Sequence, residues 1–93
     1  MLDFYFIADE KPSNYSPALE YAGGIENREF EQAQQARVIE DYLIFFDDFR
    51  WSNAQVHQKL LQLHSIKSEQ VDALRKILQR AAQLHYGVIA FGD

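Results

Sequence analysis

Three histidines and fourteen carboxylates are the side chains with the chemistry to make a site, and there is no cysteine to add to them. His57 and His64 stand seven residues apart, two turns of a helix, whereas a helical metal pair wants a spacing of three or four. His85 follows the apolar stripe of a third helix near its end, where it complements the helix dipole or fills the core edge. Asp47 and Asp48 are adjacent, and neighbours on a helix point about 100° apart, so they do not form an acid–base pair by themselves. Glu40 and Asp41, joined with Asp47, offer at most weak binding of a divalent cation. No serine sits in a strand–turn–helix elbow, and no nucleophile has an evident base. Gly23-Gly24 lacks the lysine and the strand–helix setting of a phosphate loop. The expectation is a non-enzymatic chain with no catalytic residue, no cofactor and no resident metal.

The elements that carry these groups read as strand, loop, three helices, strand. Leu2 to Ala8 is aromatic and β-prone, as a strand should be. Residues 9–24 hold Pro12, Pro17 and Gly23-Gly24 and read as a loop, with one short helical turn over Pro17–Ala22 capped by Ser16. Asn27 caps a long helix that runs to about Phe49, with Glu29 in its first turn. Ser52 and Gln55 form a capping box for a second helix over Asn53–His64, with Val56, Leu60 and Leu63 inward. Ser68 caps a third helix carrying Val71, Leu74, Ile77, Leu78, Ala81 and Leu84 at helical spacing. Asp72, Lys76 and Arg80 follow on its solvent side, and Gly87 is the left-handed residue that ends it. Val88–Phe91 is the second strand. Neither terminal strand is stable alone, so the two should pair under the helices. The fold class is α+β: a single domain over residues 1–93, three helices on a small two-stranded sheet, with the pairing direction left open.

The stretch YLIFFDDFRW, residues 42–51, carries five of the thirteen aromatic residues. Read at about 100° per residue, Val38, Ile39, Tyr42, Phe45, Phe46 and Phe49 share one broad face, which is core, with Leu43 at its margin. The opposite face holds Arg37, Glu40, Asp41, Asp47 and Asp48, with Ile44 and, one turn on, Trp51 among them. Two apolar groups framed by four carboxylates form an interface pattern: anchors with a charged rim. Trp51 has an alternative, because tryptophans are usually buried: folding back against helix two where Ser52 turns the chain. The alternative for the carboxylates is a plain solvated face.

Composition narrows the function classes. Residues 1–50 hold eleven acids and four bases, and residues 51–93 hold three acids and five bases, for the net charge of −5. Such a balance repels nucleic acid and favours basic protein surfaces. Helices two and three, with Lys59, Lys67, Arg75, Lys76 and Arg80, have the outline of a helix-turn-helix, but an acidic domain is the reverse of what DNA binding needs. No apolar run approaches the roughly 18 residues of a membrane helix. The start MLDFYFIADEK has an acid at position 3 and no basic leader, so no signal peptide is expected. The lack of cysteine fits a reducing compartment, and a cytoplasmic setting is expected.

In overall character the chain resembles the small acidic immunity proteins of bacterial toxin–immunity systems, a likeness carried by the segments LEYAGGIENREFE and FDDFRWSNAQVHQKL. The resemblance implies a basic protein partner, a cognate toxin and possibly a nuclease, whose phosphate-binding cleft an acidic helix face would occupy. Glu40, Asp41, Asp47 and Asp48 would supply charge, and Ile44 and Trp51 the apolar anchors. The competing reading is a small homodimeric structural or regulatory adaptor that pairs through its strands or its first helix.

Overall fold

A computed structural model describes residues 1–8, 20–66 and 69–92. Among the described residues, four strands and three helices follow in the order β1 (Leu2–Ile7), β2 (Glu20–Ile25), α1 (Asn27–Gln35), β3 (Phe49–Trp51), α2 (Asn53–His64), α3 (Asp72–Leu84) and β4 (Gly87–Phe91), with a 3-10 turn over Glu69–Val71 before α3. The α+β class is as expected, but the sheet has four strands, in the order β2-β1-β4-β3. The terminal strands do pair, antiparallel, from Asp3 opposite Phe91 to Ile7 opposite Gly87. Each then gains an outer neighbour, β2 beside β1 and β3 beside β4, both antiparallel.

Strand alternation sets the two sides of this sheet. Leu2, Phe4 and Phe6 of β1, Val88 and Ala90 of β4, and Trp51 of β3 point into the core. They meet Val56 and Leu63 of α2, Leu74, Ile77, Leu78 and Ala81 of α3, and Phe30 and Ala33 of α1. Phe4, Phe49 and Trp51 form an aromatic group across the sheet, with centroids 5.1 to 6.1 Å apart. A bulge at Ala22 carries the β1–β2 register past Phe4. Beyond it Gly23 sits at φ 137°, and a Cβ there would come within 3.1 Å of Ile77 Cγ1. Glycine at this position lets α3 lie against β2.

Two helix ends differ from expectation for one reason. The first helix stops at Gln35, not near Phe49, because Arg37 turns left-handed at φ 65°. Val38 N then donates to Ala33 O at 2.9 Å and Arg37 N to Gln34 O at 3.0 Å, the pair of bonds that closes a Schellman motif. His85, at φ 61°, ends α3 the same way, with Tyr86 N donating to Ala81 O. Gly87 is therefore not the terminating residue. It lies within β4, and His85 is exposed rather than part of the inward stripe.

Other local expectations divide cleanly. The capping box of α2 forms as read: Gln55 N donates to Ser52 Oγ, and Ser52 N donates to Gln55 Oε1. Residues 20–22 belong to β2, so the helical turn over Pro17–Ala22 does not extend into them, while Ser16 to Leu19 lie outside the described residues. Ser68 also lies outside them. The N-terminus of α3 receives Glu29 of α1, whose Oε2 accepts from Leu74 N at 2.7 Å. Asn27 begins α1 but does not cap it; Glu26 holds that position without a side-chain bond. Asp72 pairs with Arg75 rather than Lys76. Among the described residues, no helix is long and apolar enough to cross a membrane.

Candidate functional site: the loop from Arg37 to Asp48

Between α1 and β3 the chain makes two successive tight turns. Leu43 N donates to Glu40 O at 3.1 Å, and Asp47 N donates to Ile44 O at 3.0 Å. Gln34 of α1 secures the first turn, its amide donating to both Glu40 O and Leu43 O, at 3.0 and 2.6 Å. Asp47 secures the second by accepting from Ile44 N at 2.9 Å. Asp48 ties the loop to the end of β4, accepting from Gly92 N at 3.1 Å. Gly92 is required there, since a Cβ on it would come within 2.5 Å of the Phe46 backbone.

The two turns place neighbouring side chains on different sides of the loop. Leu43 is buried, and Phe45 is half-buried with its ring 5.7 Å from Phe30. Tyr42, Ile44 and Phe46 stand 78%, 57% and 63% exposed. Tyr42 and Phe46, expected in the core, are thus on the surface, because the segment is not a helix. Phe45 and Phe49 remain on the inward side, as do Val38 and Ile39.

The six residues expected to bind a partner separate into two groups. Ile44 and Asp41 are exposed, and Asp48 is exposed beside the apolar trio while bonded to Gly92. Asp47 is half-buried and holds its own turn. Trp51 belongs inside and Glu40 is half-buried and turned toward it, which corrects the reading of both as standing on an open face. Trp51 is only 1% exposed and faces the core from β3, the packing that its bulk favours. Glu40 accepts from Lys59 Nζ at 2.8 Å through Oε1 and from Trp51 Nε1 at 3.4 Å through Oε2. The single acidic helix face does not exist; its residues are redistributed over a turn-rich loop.

Lys59 is the residue that reading the sequence missed. It is buried, its ammonium donating to Val38 O at 2.6 Å as well as to Glu40, and it sits 4.4 Å over the Trp51 ring. A buried lysine is tolerable only with such partners. The signal was present in part: Val56, Lys59, Leu60 and Leu63 share one helical stripe, and a lysine on it needs an acid across the core. The group fastens the start of the loop to α2 and so fixes where Tyr42, Ile44 and Phe46 emerge.

His57, His64 and His85 are all exposed. Among the described residues, no group of three or more histidines and carboxylates is placed to hold a metal ion. In chemical terms the loop offers apolar contact area and negative charge, the means of binding. Comparison with protein-family models, with curated proteins and with solved structures finds no match for this chain. The fold is an α+β domain with helices packed on an antiparallel sheet and an apolar loop tied by hydrogen bonds between α1 and β3.

Proposed function

We propose that the chain is a non-enzymatic protein-binding module that docks a basic protein through the 41–48 loop. The observation that carries this is the outward projection of Tyr42, Ile44 and Phe46 from a loop whose backbone is pinned by Gln34, Asp47, Asp48 and Glu40. Three large apolar groups in water are unfavourable unless a partner covers them, and aromatic anchors contribute most where they become desolvated. Preorganised anchors lose little conformational entropy on docking. Asp41 and Asp48 beside them give the rim a negative sign, which steers and selects a basic partner.

The resemblance to immunity proteins makes a bacterial toxin the favoured partner, its catalytic cleft being the basic surface covered. The role of the acids is narrower than charge mimicry by a whole helix: the apolar trio contributes affinity, and Asp41 and Asp48 contribute rate and specificity. The test is calorimetric titration with the product of any gene adjoining this one that encodes a basic, toxin-like domain. Ile44→Ala with Phe46→Ala should weaken binding at least tenfold at any salt. Asp41→Asn should weaken it mainly at low salt. Full affinity in the double variant overturns the assignment. A stable dimer of the isolated chain in sedimentation, with these residues at its interface, would favour the adaptor reading instead.

A further inference from the structure

The sheet face turned away from the helices carries a cluster of aromatic rings with a carboxylate at its edge. Alternation puts Asp3, Tyr5 and Ile7 of β1, Ile89 and Phe91 of β4, and Arg50 of β3 on this side. Tyr21 of β2 joins them opposite Tyr5. Tyr5 is the middle ring of three: Tyr21 lies 5.3 Å from it and Phe91 5.7 Å, each inclined at 67°. Tyr21 and Phe91 are 52% and 38% exposed. The hydroxyl of Tyr21 donates to Asp3 Oδ1 at 3.0 Å, which places a carboxylate at the edge of the ring group. Loss of water around the ring, and then the Asp3 carboxylate, hold the Tyr21 hydroxyl above its ordinary pKa.

The same face already carries one guanidinium of its own. Arg50 aligns with Ile89 and Tyr5 across three strands, and its Nη2 reaches Ala8 O, just past the end of β1, at 2.9 Å. At the Phe91 end, the ring group and Asp3 supply two features that recognise a cation: aromatic faces with negative quadrupoles, and a fixed negative charge. This end also lies next to the docking loop, because Gly92, the residue after Phe91, bonds to Asp48.

We propose that Tyr5, Tyr21, Phe91 and Asp3 form a site for an arginine side chain of the basic partner. The inference rests on the reading above for the partner's basic character, but its test does not need the partner. The probe is a tetra-arginine peptide, with tetra-citrulline as its neutral isostere, followed through the ring-proton resonances of the chain. The rings of Tyr5, Tyr21 and Phe91 should shift saturably with arginine and not with citrulline. Asp3→Asn should weaken the arginine peptide by about three- to tenfold, the loss expected for one charge-assisted hydrogen bond at an exposed site. Tyr21→Leu, on the surface and checked for retained resonance dispersion, should weaken it further. Equal response to both peptides, shifts confined to the 41–46 loop, or an Asp3→Asn variant of unchanged affinity would each overturn the site. Loss of toxin binding in the loop variants with the arginine response intact would separate the two surfaces.

Discussion

The ammonium of Lys59 lies 2.8 Å from the Glu40 carboxylate, an ion pair between the middle of α2 and the first turn of the exposed loop. The side chains are 10% and 27% exposed, so the lysine is the more deeply committed partner. Their distance makes the loop an outgrowth of the core rather than a free linker.

This asymmetry orders two substitutions. Glu40→Gln removes the countercharge and leaves the buried Lys59 ammonium with neutral acceptors and the Trp51 ring, and should cost about 2–3 kcal/mol. Lys59→Met leaves a carboxylate that can turn to water, and should cost about 1–2 kcal/mol. The double variant should be more stable than Glu40→Gln alone. Urea unfolding of all three decides it, and the reverse order of the single variants would show that the pair is not the fastening.

The alternation of the loop predicts opposite responses at adjacent residues. Leu43→Ala should cost about 2–4 kcal/mol, as truncation of a buried leucine does. Ile44→Ser should change stability by no more than about 0.5 kcal/mol, because the side chain has little buried area to lose. Thermal melts of the two proteins are sufficient. Comparable losses at both positions would show that Ile44 is packed against the core and does not project from the loop.

Arg37 and His85 hold left-handed backbone that glycine adopts without a Cβ clash. Arg37→Gly and His85→Gly should each raise stability by about 0.5–1 kcal/mol, the relief being partly offset by a more flexible unfolded chain. Equilibrium unfolding measures it. A loss at either site would mean that the side chain contributes more than the strain costs.

Glu29 gives the chain a pH-dependent term. Burial raises its pKa above the ordinary value, although the Leu74 and Ala73 amides pull the other way. A raised folded pKa means that the native state holds its proton more tightly than the unfolded chain. The Glu29 contribution is therefore fully present below the unfolded pKa and declines as pH rises through the folded one. The stability of the wild type relative to Glu29→Gln should fall over that interval and then level off. Denaturant titrations across the acidic range test this, and a difference that grows with pH would reverse the assigned cause.

Several elements were legible in the residues because their signals are local. The Ser52–Gln55 capping box requires only four consecutive residues, and α2 begins and ends where it and the apolar spacing say. The stripe from Val71 to Ala81 is periodic enough to mark α3, and the apolar ends of the chain mark β1 and β4. Other elements were not. Val38 to Phe49 is so rich in apolar side chains that period 3.6 and period 2 both fit, and Arg37 gives no glycine to announce the break. Strand β2 contains Gly23-Gly24 and a bulge, which read as loop. Strand β3 is only three residues long and exists because β4 offers it an edge.

For the candidate site the division is sharper. Residue types alone determined that an acidic, aromatic stretch lies between the first and second helices and that Ile44 stands among carboxylates. Tertiary structure decided which groups reach water. Lys59 draws Glu40 and Trp51 inward, and the turns closed by Gln34 and Asp47 turn Tyr42 and Phe46 outward. Capping and periodicity depend on neighbours a few bonds away, whereas a buried charge takes its partner from across the core. Glu40 is 19 residues from Lys59, and only the assembled fold brings the two together.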